Sequence, residues 1–336
     1  MNTILSLDEP TLFILGAGSN QYYNFPSGPD LKKRMIQNVQ SGDFLDIAEQ
    51  VDDLKEQCNP FAIALKDNRY LTIDEFMEQK QKWRNIGAHL IAYTLLPAEK
   101  RSHDIMFPQK DLYAVFYDLF RFEDEKPPPM DIAFITLNYD RSLEHFFHHN
   151  IFCNCKDDLE EAAYARLKEI PIVHLYESFG MYPQVKYGTD VMSTDGTGKR
   201  VPAGDFLDAA KNIKIISDDL SGSAAVKRAY KVTKRAKNIV FLGLSYDPRT
   251  LGLLIGGISK EKFKDKHVFG TTIDLPEDRK NDTDRFFEGQ MEFLARNVDA
   301  TLAVATLFGH ASGTEEAKQD LLLGPRDNED DPFRIG

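Results

Sequence analysis

The stretch "TLFILGAGSNQYYNFPSG", residues 11–28, decides how this chain is read. Leu12 to Leu15 has the length and composition of a buried strand, and it stops at Gly16-Ala17-Gly18. A continuous apolar strand ending in bare backbone is how a parallel α/β sheet begins. Gly16 and Gly18 allow a tight turn and would let a phosphate approach main-chain N–H groups. The same glycines serve a plain strand-to-helix turn equally well. Position 21 is Gln, so the G-x-G-x-x-G fingerprint is incomplete, and the lysine of a P-loop is absent. Pro26 and Gly28 fix a second bend.

Downstream of that bend the period changes. Leu31, Met35 and Val39 fall on one helical face, as do Phe44, Ile47, Val51 and Leu54. "TIDEFMEQKQKW" opens another helix, with Thr72 or Asp74 as N-cap. Leu112, Val115, Phe116 and Leu119 line a further one, and the three prolines of "EDEKPPPM" (123–130) end the helical block. Strands are then expected at "DIAFITLN" (131–138), "IPIVHLY" (170–176), "NIVFLGLS" (238–245) and "HVFGTTI" (267–273). "YDRSLEHFFHH" reads as a helix, residues 181–204 as a loop region, and Ala225, Ala229, Val232 and Ala236 as one side of a later helix. The expected fold is α/β: a Rossmann-like open parallel sheet with an inserted helical subdomain. Residues 1–30 and 131–325 form the core in this reading, 31–130 the insert and 326–336 an acidic tail.

Composition narrows the function classes. The chain has 336 residues, 42% hydrophobic and 28% charged, an ordinary soluble balance. No segment approaches the roughly 18 apolar residues of a membrane span, and the N-terminus lacks a basic n-region, so a cytoplasmic location is expected. The net charge of −12 (41 basic, 53 acidic) does not favour nucleic acid as the default partner. Cys58, Cys153 and Cys155 make neither a disulfide framework nor a zinc ribbon. The basic series Lys227, Arg228, Lys231, Lys234 and Arg235 reads as a solvated helix face. His145 and His149 have an i, i+4 spacing, but no carboxylate stands at a matching place, and no metal is expected.

In an open parallel sheet, ligands bind beyond the carboxyl ends of the strands. Four such ends carry small or polar groups: Gly16 to Ser19, Asn138 to Asp140, His174 to Glu177, and Gly243 to Ser245. On continued strand geometry Asn138 and Asp140 face one side, where an amide and a carboxylate can bind ribose hydroxyls or a carboxamide. The plainer reading is an Asx turn, with Asp140 capping the next helix. His174 sits inside an apolar strand, as a satisfied core residue or as an acid–base group, with Tyr176 on the same face by period two.

Taken together, these four ends resemble the sirtuin-like family of bacterial antiviral NAD hydrolases. "LGAGSNQYYNFPSGPDL" resembles its opening nucleotide loop, "ITLNYD" its T-x-N-Y-D motif, "IDEF" a segment of its helical insert, and "FLGLSYDP" its late Gly-x-Ser strand end. The resemblance spans residue 11 to about 275. It implies cleavage of NAD, as substrate, to nicotinamide and ADP-ribose, without a metal. Gly16, Ala17, Gly18, Ser19, Pro26, Gly243 and Ser245 would line the dinucleotide, with Asn138, Asp140, His174 and Tyr176 at the reacting end. It also implies a homo-oligomer and a partner chain, a HerA-type ATPase or a short Argonaute, in abortive antiphage defence. The third strand departs from the family's [HK]-L-H-G: "HLYE" puts Tyr176 at the catalytic position and His174 two residues early, about 6–7 Å along a strand. His174 would then serve through a local bulge, Tyr176 or Glu177 would substitute, or the chain would bind nucleotide without turning it over.

Overall fold

The structure, a computed structural model, describes residues 5–68, 72–105, 111–120, 131–153, 160–182, 203–215, 220, 222–255, 263–273, 275–295 and 298–308. Its centre is a six-stranded sheet of β1 (Thr11–Leu15), β2 (Ile132–Thr136), β3 (Ile172–His174), β4 (Asn238–Leu242), β5 (His267–Gly270) and β6 (Met291–Phe293). The order is β3-β2-β1-β4-β5-β6 and every pairing is parallel. That is the doubly wound Rossmann arrangement, whose order reverses between β1 and β4. The expected α/β class is therefore what the chain adopts.

Among the described residues, six α-helices separate β1 from its neighbour β2: α1 (Gly28–Gln40), α2 (Leu45–Ala48), α3 (Leu54–Asp67), α4 (Ile73–Gln79), α5 (Arg84–Ile105) and α6 (Leu112–Phe120). After β2 come α7 (Ser142–Cys153) and α8 (Glu160–Leu167); after β3, α9 (Ala203–Asn212) and α10 (Ala224–Arg235). Then α11 (Pro248–Ile255), α12 (Glu277–Phe286) and α13 (Ala300–Leu307) follow β4, β5 and β6 in turn. Ser27 caps α1 through the Asp30 amide, and Pro29 in the first turn costs no hydrogen bond there. Thr72, rather than Asp74, caps α4, in a reciprocal capping box with Glu75.

Alternation along the strands sends side chains to two layers. Phe13, Leu15, Phe134, Val240 and Leu242 join the insert helices, α7, α9 and α13 in one continuous apolar cluster. Phe13 stands at its centre, with ring centroids 5.0 Å from Phe116 and 5.4 Å from Phe134. Leu12, Ile14, Ile135, Ile239 and Phe241 face the other way, against α10 and α11. The insert thus shares its core with the sheet and is held against it.

Three expectations are revised. Phe44 to Leu54 is not one helix: α2 ends at Ala48, and Asp53 with φ 60° turns the chain before α3. Phe44, Ile47 and Leu54 are still buried, so the period reported burial rather than helix continuity. Strands β2 to β5 are shorter than their apolar runs, because the last residues of each run leave the sheet to build its carboxyl edge. Finally, β6, three residues with Glu292 exposed, escaped prediction as too short and too polar a run. The acidic tail 326–336, Cys155 and most of loop 181–204 lie outside the described residues.

Candidate functional site

The carboxyl ends of β1 to β4 share one edge of the sheet. At the reversal between β1 and β4, main chain meets main chain. The Gly16 amide donates to the Leu242 carbonyl at 2.9 Å, and the Gly18 amide donates to the Gly243 carbonyl at 3.0 Å. A Cβ on Gly16 would lie 2.5 Å from the Gly243 oxygen. Gly243 itself has φ +67°, and a Cβ there would overlap the Ser19 amide nitrogen. The bare backbone of the opening stretch is thus required first by the chain's own second loop. The chain from Ala17 to Tyr23 then forms a 3-10 helix. Ala17, Gly18 and Ser245 are exposed at this mouth, whereas Ser19 is buried and donates to the Gly16 carbonyl at 2.7 Å. Pro26 is buried just before the cap of α1.

Beyond β2 the polar residues turn toward that seam. The Asn138 side-chain amide donates to the Gly16 carbonyl at 3.2 Å, and its Oδ1 has no hydrogen-bond partner among the described residues. Asp140 is buried; Oδ2 accepts from the Asn20 amide at 2.8 Å and Oδ1 from the Ser142 main-chain amide at 3.1 Å. The Asx-turn reading of Asp140 therefore holds together with its orientation toward the first loop. Burial, then the charge of Glu99, pushes the Asp140 carboxyl up to about 6, against the Ser142 contacts and His174. Behind it, Arg141 and Glu99 form a buried pair: Nε to Oε1 at 3.0 Å and a terminal guanidinium nitrogen to Oε2 at 2.7 Å. Glu99 lies on α5, so this pair ties the insert to the Asn138 loop.

His174 is the last residue of β3. Its Nδ1 lies 2.9 Å from the Asn138 main-chain oxygen and its Nε2 2.7 Å from Oε1 of Glu144 on α7. Burial acts to lower its pKa but is outweighed by Glu144, the Asn138 carbonyl and Asp140, and the group ends at about 8. The expected shared face with Tyr176 is not found. The strand ends at His174, and Tyr176 enters the opposite layer, where its hydroxyl meets Thr250 Oγ1 at 2.7 Å. Burial raises the Tyr176 hydroxyl well above the ordinary tyrosine range, against its hydrogen bond to Thr250. Glu177, exposed with φ 63°, continues the turn away from the sheet.

The structure thus brings Gly16, Asn138, Asp140 and His174 into one bonded group and leaves Tyr176 out of it. Four members were not read from the sequence: Asn20, Glu99, Arg141 and Glu144. Glu144 alone had a local signal, as the acid in the first turn of α7. A second polar group stands where α4 meets the end of β4. Arg249 pairs with Glu78, and the half-buried Asp74 is pushed up to about 6 by burial and then by Asp247, against Arg249. Elsewhere, His149 Nε2 lies 3.3 Å from Cys153 Sγ, and His145 approaches the Tyr182 hydroxyl at 3.4 Å. Among the described residues, no group of side chains is arranged to hold a metal, and no helix is long and apolar enough to cross a membrane.

No protein-family model matches the chain, and no curated protein matches it. Solved structures of Sir2 homologues are similar over most of its length. One, with a serine-to-alanine substitution and in complex with ADP-ribose, is 14% identical over 90% of this chain and 92% of that one, with a TM-score of 0.38. Another, triply substituted and in complex with 2'-O-acetyl ADP-ribose, is 12% identical over 91% and 94%, with a TM-score of 0.37. At these scores the likeness supplies no residue-by-residue correspondence, and the site stands on its own geometry.

Proposed function

We propose that this chain cleaves NAD to nicotinamide and ADP-ribose at the edge formed by the ends of β1 to β4. The observation that carries the reading is the Asn138 side chain: it is tied to Gly16 at the β1/β4 reversal while its Oδ1 stays unpartnered among the described residues. The dinucleotide would lie along Ala17, Gly18, Gly243 and Ser245, with its nicotinamide ribose toward Asn138. In the reaction the C1'–N bond breaks, its electron pair leaves with neutral nicotinamide, and a water oxygen bonds to C1' and releases a proton to solvent. Such a leaving group needs little acid help, so placing water and stabilising an oxocarbenium-like centre suffice. Asn138 Oδ1 would accept from that water. Buried Asp140 would keep the loop in register through Asn20 and Ser142.

By the motif resemblance, this activity would serve antiphage defence in the cytoplasm, in a homo-oligomer, released by a partner such as a HerA-type ATPase or a short Argonaute. One observation favours a second reading, a subunit that binds the nucleotide without turnover: both His174 nitrogens are already engaged. Nicotinamide release by the purified chain, alone and with its genomic neighbour's product, separates the two. The hydrolase reading expects release, and at least about a 100-fold loss in Asn138→Ala. Binding of ADP-ribose with no release under either condition would establish the second reading.

A further inference from the structure

The two contacts of His174 set a proton count. A main-chain carbonyl oxygen only accepts, so Nδ1 must carry a hydrogen toward Asn138. Between Nε2 and Glu144 Oε1, 2.7 Å apart, one further proton is needed, on the ring or on the carboxyl. A neutral imidazole beside an ionised carboxylate lacks it and would set two lone pairs face to face. The intact arrangement therefore holds one proton more than the separated groups hold at neutral pH. The surroundings sustain it. Glu144 Oε2 is buried with no hydrogen-bond partner, so the carboxylate's charge is met at Oε1 by the His174 ring. Asp140, from the loop before α7, adds a second negative charge toward His174. Glu144's charge also raises the Tyr182 hydroxyl, next after burial, and adds to Asp140 and Tyr23 in raising the buried Tyr113 of α6. Arg141, the nearby cation, is already engaged by Glu99.

We propose that Glu144 is a positioning residue: it stores a proton jointly with His174, and the protonated pair fixes the Asn138 main chain and with it the side chain that meets the ligand. The ligand-facing half of this statement rests on the reading given under Proposed function; the proton-storing half does not. On this account His174 is no resident base. Its first task is to donate to the Asn138 carbonyl; losing the stored proton removes the Nε2–Glu144 bond that anchors the ring and so loosens its hold on the loop. Nucleotide binding then falls about tenfold per pH unit above the pair's midpoint, as for any bound state that requires one proton.

The test is to follow the His174 ring nitrogens and the Asn138 carbonyl carbon by NMR between about pH 6 and pH 10, with ADP-ribose binding measured by calorimetry over the same range. The expected result is that the pair loses its proton near 8 and the Asn138 carbonyl shift moves with the same midpoint. In Glu144→Gln the His174 midpoint falls, because the strongest influence opposing burial is gone and only the Asn138 carbonyl and Asp140 remain to support the charge. A His174 ring singly protonated at pH 7 beside an ionised Glu144, or an Asn138 carbonyl that ignores the titration, overturns the proposal in the unaltered protein, so a poorly folding variant does not shelter it. If the titrations behave as expected and ADP-ribose and NAD fail to bind at every pH, the storing pair stands and the nucleotide reading falls.

Discussion

Between β1 and β4 the carboxyl edge of the sheet is closed by peptide groups; between β2 and β3 it is closed by ionisable side chains. On the first side, Gly16 and Gly18 bond to Leu242 and Gly243, and excluded volume decides what fits. On the second, Asn138, Asp140, His174, Glu144, Arg141 and Glu99 are held by shared protons and opposite charges. The first half has no titrating group in its contacts and should keep its shape at any pH the fold survives. The second half can be altered by a single proton. A site spanning both has a fixed floor beside an adjustable wall, and the two halves can be broken separately.

The largest effect is expected on the charged side. Arg141→Leu leaves Glu99, whose side chain is 0% exposed, without its cation, at a cost of about 3–5 kcal/mol in a urea melt. Replacing Glu99 by Leu as well should restore much of that loss; a single variant within about 1 kcal/mol of the parent would mean that charge does not hold this wall. Next comes the peptide side. Gly243→Ala combines a positive φ with a Cβ in the place of Ser19's amide, for about 2–4 kcal/mol in total. That deficit should be the same at pH 6 and pH 8.5; a deficit that changes with pH would tie the floor to the wall. The smallest effect is expected for Tyr176→Phe, which removes one hydroxyl contact to Thr250, worth about 1 kcal/mol. Nicotinamide release should be unchanged. A tenfold loss would place the reacting group on the other face of the sheet and undo the division drawn here.

The same contrast governs how much could be read in advance. Strand ends are local features, so "LGAG", "LNYD" and "FLGLS" marked the edge, and five apolar runs marked five of the six strands. What those ends bond to is not local. Nothing near Gly16 names Gly243 as its neighbour, and nothing near Arg141 names Glu99. Period two was extended past the end of β3, which put Tyr176 on the wrong face; a strand three residues long gives too little length for that rule to act. The "IDEF" segment is legible only through its resemblance. Its place over the end of β4, with Glu78 reaching Arg249, depends on how the insert folds back and had no signal in the spacing.

The Gly16–Gly243 seam also sets the order in which a growing chain can acquire a site. The insert, β2, β3 and α7 to α10 all intervene between its two sides, so they leave the ribosome before the partner of the first loop does. Until Gly243 emerges, Gly16 to Ser19 have no surface to close upon, and such distant pairing is slow to form. An interrupted translation product ending before β4 would carry the opening motif without its shape. Any site built on this seam is therefore complete only once synthesis has passed the fourth strand.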